Sequence, residues 1–133
     1  MVREMTIGAL SRATGVKVTT IRYYETIGLM ARPARTASGH RRYTTAERDQ
    51  LAFIRQARRL GFELDAIREL LELARYPEQS CSNADSIARR QKAEIEARIR
   101  RLETLDAELA RMIADCEGGR TADCRVLEAL TGS

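Results

Sequence analysis

Three cysteines, at positions 81, 116 and 124, carry the side chains of this 133-residue chain best suited to chemistry. Thiolate sulfur is a soft donor that favours soft metal ions, and an odd number of cysteines cannot close a complete disulfide framework. Cys116 and Cys124 bracket the loop 117–123, and Cys81 lies far upstream. Two thiols at that spacing are a weak ligand pattern, and all three equally suit packing as small apolar residues. Hydrolytic chemistry is a poor fit. A thiol nucleophile needs a neighbouring base, and the only histidine, His40, sits in a basic loop remote in sequence from every cysteine. No enzyme is expected.

The second set of chemically useful side chains is cationic. Residues 1–62 hold 12 Lys/Arg against 4 Asp/Glu, net +8, while residues 63–133 hold 11 against 15, net −4, giving the overall +4. A half that basic suits a polyanion, because each cation near a phosphate releases counterions; the other reading is a solvated basic face. The N-terminal half is therefore expected to touch nucleic acid. No apolar run reaches the roughly 18 residues of a membrane span, and the N-terminus lacks the apolar centre of a secretory signal, so a cytoplasmic location is expected.

The elements that position these residues follow from apolar spacing. Ile7, Leu10 and Ala13 share one helical face and Gly15 offers a tight turn. Val18, Ile21, Tyr24 and Ile27 then form an inward face, which turns Thr19, Thr20, Arg22 and Tyr23 outward before Gly28 ends the helix. Two helices joined by a glycine turn make a helix-turn-helix candidate, although Lys17 is a weak N-cap. Residues 31–43, with Pro33, Arg35, Ser38, Gly39, His40, Arg41, Arg42 and Tyr43, read as a small basic hairpin, a wing. Thr44 and Glu47 form a capping box ahead of a stripe at Leu51, Ile54, Ala57 and Leu60, closed by Gly61. Leu64, Ile67, Leu70, Leu71 and Ala74 mark a fourth helix, ended at Tyr76 and Pro77.

Ser82-Asn-Ala-Asp85 is a start signal, and neither Gly nor Pro interrupts the chain from there to Asp115, so one helix about 50 Å long is predicted. Ile95, Leu102, Leu109 and Cys116 recur every seven residues, with Ala88, Gln91, Leu105 and Met112 on the same stripe. A narrow stripe on so long a helix needs a partner, and the economical one is the same helix of a second subunit, antiparallel or parallel. In the antiparallel case the start of one helix meets the end of the other. Cys81 would then complete a three-thiolate site with Cys116 and Cys124 of the partner subunit, beside a helix N-terminus that favours anionic sulfur. A short apolar helix, Val126-Leu127 to Ala129-Leu130, closes the chain.

Thr6-Ile-Gly-x-Leu, Thr20-Ile-Arg-Tyr-Tyr-Glu25, Gly28-Leu29, Gly39-His-Arg-Arg-Tyr43, Phe53-Ile-Arg-x-Ala-Arg-x-Leu-Gly-Phe62 and Ile67-x-Glu-Leu-Leu71 resemble the MerR transcriptional regulators over essentially the whole chain. The cysteine set resembles that of the branch sensing divalent soft metals. Two features depart from the family pattern: His40 stands where the wing often has Tyr or Phe, and the C-terminal loop has neither an adjacent second Cys nor a His.

The resemblance implies a mainly α fold. Residues 1–75 would form a winged helix-turn-helix DNA-binding domain with a small β wing, 76–115 a linker and dimerisation helix in an antiparallel coiled coil, and 116–133 a metal-binding loop and short helix. It further implies a homodimer on a palindromic promoter spacer, with Thr19, Thr20, Arg22 and Tyr23 facing bases and nearby phosphates. Arg35, His40, Arg41, Arg42 and Tyr43 would form the wing's grip on the backbone. The dimer would repress without metal. With Zn2+, Cd2+, Pb2+ or Hg2+ held by Cys81, Cys116 and Cys124, it would distort the DNA so that RNA polymerase can start, switching on metal efflux or detoxification genes. Zinc or cadmium would take a fourth ligand from Asp115, Glu117, Asp123 or water. Copper(I) sensing, or a redox or organic-effector regulator, are the alternatives.

Overall fold

The computed structural model describes residues 4–33, 39, 42–115 and 119–131. Its elements are α1 (Ile7–Thr14), α2 (Val18–Thr26), α3 (Thr45–Arg59), α4 (Leu64–Ala74), α5 (Ser82–Asp115), a 3-10 turn (Thr121–Asp123) and α6 (Arg125–Thr131). The chain forms two compact units, Met1–Ile87 and Ala88–Ser133, whose boundary falls inside α5. The mainly α class and the long C-terminal helix are as the spacing predicts. No helix among the described residues is long and apolar enough to cross a membrane.

In the first unit, most of the residues that the periodicity turns inward meet in one core, whereas Ala13, Leu60 and Ala74, at the ends of their stripes, are exposed. Leu10, Ile21, Met30, Tyr43, Leu51, Ile54 and Ile67 are fully buried, with Val16, Tyr24, Leu29, Ala57, Phe62 and Ile87 around them. Each such aliphatic side chain contributes roughly 1.5–3 kcal/mol. Helix α1 packs against α2 and α3, and α3 against α4. Ile87 lies on the first turns of α5, so the long helix is rooted in the same core as the helix-turn-helix.

The capping box is present: the Thr44 amide donates to Glu47 Oε2 at 2.7 Å, the Thr44 hydroxyl also bonds that oxygen, and the Ala46 amide donates to Thr44 Oγ1 at 3.3 Å. Burial pushes the Glu47 carboxyl up, but the hydrogen bonds it accepts from Thr44 outweigh this and hold it below its usual value. The start of α5 differs from the expected cap. The Cys81 carbonyl accepts the Asp85 amide at 2.8 Å, so Cys81 is the half-in flanking residue and Ser82 already lies in the helix. The expected hairpin is represented among the described residues by one antiparallel bridge, and it joins Tyr43 to Met5 rather than to the other arm of the loop. Residues 34–38, 40 and 41 of that loop lie outside the described residues.

Along the second unit, α5 exposes Ile95, Ile99, Leu102, Leu105, Leu109 and Ile113, with Leu102 63% exposed. A single apolar stripe of that length is costly to leave in water.

Candidate nucleic-acid interface and thiol positions

The turn between α1 and α2 is fixed by its own backbone and by short side chains. Gly15 adopts φ +74° and donates its amide to Ser11 O at 2.8 Å. Ser11 Oγ donates to Val16 O at 2.6 Å, Thr14 Oγ1 donates to Leu10 O at 2.8 Å, and the Val16 amide donates back to Thr14 Oγ1 at 3.3 Å. These bonds occupy polar groups of the turn, of which Thr14 and Val16 are buried while Gly15 itself is exposed.

Helix α2 then divides by side. Ile21, Tyr24 and Glu25 are buried, whereas Thr19, Arg22 and Tyr23 are exposed and Thr20 is half-buried. The exposed set offers what base edges and phosphates require: a guanidinium fork, a hydroxyl donor, and a tyrosine 53% exposed whose ring stands 6.3 Å from that of Tyr24. At the N-cap, Lys17 makes no side-chain capping bond, as its type predicts.

On the wing side, Arg42 is exposed and pairs with Glu4 at 3.2 Å, beside the bridge in which the Met5 amide donates to Tyr43 O at 2.7 Å and the Tyr43 amide to Met5 O at 2.9 Å. Arg35, His40 and Arg41 lie outside the described residues. Tyr43 requires a correction. Expected to grip the DNA backbone, it is 0% exposed, and its hydroxyl donates to Glu25 Oε1 on α2, itself 5% exposed. The alternation of the bridge aims its ring into the core, and the buried carboxylate accepts the phenol that would otherwise be an orphaned donor. Tyr43 therefore ties the return arm of the wing to the outward-facing helix.

Two further arginines escaped the sequence reading. Arg55 on α3 donates to Thr14 O at 2.7 Å, at the end of α1; Arg68 on α4 donates to Ile27 O at 3.0 Å and Gly28 O at 3.1 Å, at the end of α2. The only local signal was a glycine ending each helix, which marks exposed carbonyls but not the cation that meets them from some 40 residues away.

Cys81 is exposed and Cys124 half-buried. Both stand immediately before a helix: the Cys124 carbonyl accepts the Glu128 amide at 2.9 Å as α6 begins, after the Thr121–Asp123 turn. Cys116 and Glu117 lie outside the described residues, Asp115 ends α5, and Asp123 pairs with Arg120 at 3.4 Å. Among the described residues, no three His, Cys, Asp or Glu side chains of one chain come together. Cys81 belongs to the first unit and Cys124 to the second.

The chain is similar to known proteins over nearly its whole length. The family model for MerR HTH family regulatory proteins matches residues 5–74, and that described as MerR, DNA binding, matches 48–112. The HTH-type transcriptional regulator ZntR of Escherichia coli strain K12 is 40% identical over 127 residues, covering 93% of this chain and 90% of its own. Heavy metal-dependent transcription regulator 2 of Rhizobium meliloti strain 1021 is 36% identical over 126 residues, 95% of this chain and 86% of its own. Among solved structures, the transcription regulator PbrR691 from Ralstonia metallidurans CH34, crystallised in complex with lead(II), superposes with a TM-score of 0.83 at 31% identity, covering 96% of this chain and 99% of that one.

Proposed function

The chain belongs to the MerR family of helix-turn-helix regulators, DNA-binding transcription factors rather than enzymes, and from that premise we propose that it is a cytoplasmic, metal-responsive regulator acting as a homodimer on promoter DNA. One observation carries the reading. The cysteines flank α5, one just before its first turn and two beyond its last, on a helix whose apolar stripe stays exposed along its length. Antiparallel pairing of two such helices sets the start of one beside the end of the other. Cys81 of one subunit with Cys116 and Cys124 of the partner subunit supplies a soft three-sulfur set, which fits Zn2+, Cd2+, Pb2+ or Hg2+, with Asp115, Glu117, Asp123 or water as a possible fourth donor. The relatives support this, since one is named for heavy-metal dependence and a neighbour holds lead(II).

The chain's own residues supply the rest. Thr19, Thr20, Arg22 and Tyr23 enter the major groove on the outward side of α2, and Arg42 exchanges Glu4 for a phosphate as the wing meets the backbone; Arg35, His40 and Arg41, of the same basic stretch of sequence, add further backbone contacts. A two-fold dimer matches a palindrome. Bending or untwisting the spacer costs on the order of 1–6 kcal/mol. A ligand drives such a change only through a difference in affinity between the two dimer conformations, and Cys81, Cys116 and Cys124 would hold a soft ion that supplies that difference. RNA polymerase then reads the reshaped promoter.

The test is transcription in vitro from the protein's own upstream region with Zn2+, Cd2+, Pb2+, Hg2+ or Cu+ under reductant. A divalent ion raises transcript yield, and Cys81→Ser, Cys116→Ser and Cys124→Ser each remove the response while operator binding stays within about twofold. Response to Cu+ alone assigns a copper(I) regulator, and full response in all three variants refutes thiolate sensing.

A further inference from the structure

Helix α2 is poorly capped by its own side chains. Lys17 gives no side-chain bond at the N-terminus and the last turn carries no basic residue. Its final carbonyls are met partly by backbone: the Leu29 amide donates to Tyr24 O at 2.9 Å and the Gly28 amide to Glu25 O at 3.1 Å. Ile27 O and Gly28 O are met from another helix, by the two terminal nitrogens of Arg68. The fork places a delocalised cation on the negative end of the α2 dipole with two charge-assisted bonds. Its base is anchored, because Ile67, the residue before it, is fully buried in the core that also holds Ile87 at the root of α5.

We propose that Arg68 is a positioning residue for DNA recognition, a cap supplied in trans that fixes the pose of α2 against α4 and so makes the base-reading face follow the body carrying the root of α5. Arg55 makes the corresponding single bond to the end of α1, whose N-terminus already has a side-chain cap from Thr6. Of the two helices of the helix-turn-helix, Arg68 thus clamps the one with less side-chain capping of its own. Lysine, a point charge without the fork, retains attraction to the helix end but does not hold both carbonyls in one plane.

The proposal rests on the regulator reading above and not on which ion is sensed. Its test uses the full-length wild type, Arg68→Gln and Arg68→Lys with the protein's own upstream duplex. Because Arg68 is exposed, both variants fold, with thermal midpoints within a few degrees of wild type. In the free protein, Arg68→Gln speeds amide hydrogen exchange at Gly28, Leu29 and Met30 roughly tenfold, while Leu51 and Ile54 are unmoved. Operator affinity falls roughly five- to tenfold, the size of losing a cap and a dipole partner, with the slope of log K against log salt unchanged. At saturating protein and whichever of Zn2+, Pb2+ or Cu+ activates the wild type, transcript yield falls further than occupancy does, and Arg68→Lys recovers affinity to within about threefold but not the full yield.

Unchanged exchange at residues 28–30 overturns the proposal. So does a salt slope reduced by about one, which would make Arg68 a phosphate contact. Faster exchange with unaltered operator binding and yield reduces Arg68 to a local cap. If the wild type itself fails to bind the duplex, the regulator reading falls first, and an exchange effect then leaves Arg68 structural only.

Discussion

Replacing Tyr43 by Phe separates two opposed accounts of that side chain. A tyrosine gripping phosphate would lose operator affinity and leave stability alone. The structure puts the ring at 0% exposure with its hydroxyl on the Glu25 carboxylate, so the loss should fall on the fold. Phenylalanine refills the same space, which removes any cavity contribution and isolates the hydrogen bond. A bond to a charged acceptor contributes roughly 1.5–3 kcal/mol, and with both partners below a tenth exposed water cannot replace the missing donor. A loss of about 2 kcal/mol is expected, equivalent to about 8–16 °C in Tm for a unit of this size. Urea and thermal unfolding, followed by far-ultraviolet circular dichroism, read the stability, and fluorescence anisotropy with labelled operator reads the affinity of the folded protein. Affinity should stay within a few-fold. A Tm within about 2 °C of wild type, accompanied by a tenfold affinity loss, would refute the buried-pair argument and return Tyr43 to the DNA surface.

Gly15→Ala puts an L side chain at φ +74° with its Cβ 2.9 Å from Arg55 Nη1, so the turn strains and the Arg55 guanidinium must shift; about 1–3 kcal/mol of stability should be lost in a urea titration. Thr44→Ala should cost about 1 kcal/mol at neutral pH. The Glu47 carboxyl titrates below its usual value when folded, so its contribution is present above the unfolded value and lost as pH falls through the folded one; the gap between wild type and Thr44→Ala should narrow at acid pH, leaving the part due to the Ala46 amide bond to Thr44 Oγ1. Leu102→Asp puts a charge into the exposed stripe of α5, and sedimentation should show monomers where the wild type gives dimers, with operator affinity collapsing alongside.

What the chain determines by itself is whatever repeats locally. Apolar residues at helical spacing fix α1 to α5, because each helix must bury one stripe whatever it packs against, and the Thr44–Glu47 cap and the turns at Gly15, Gly28 and Gly61 follow from bonds and backbone angles within a few residues. The outward set on α2 was legible for the same reason, as the complement of an inward face. Features joining residues about 20 to 40 positions apart were not. The resemblance groups Tyr43 with Arg41 and Arg42 in the wing's grip on the backbone, and only the bridge to Met5 aims it at Glu25. Nothing in the spacing gives Arg55 or Arg68 a role, and it is the packing of α3 and α4 that brings them onto the open carbonyls of α1 and α2. A hydrogen bond is satisfied by position in space, and sequence spacing carries no record of which distant helix will stand there.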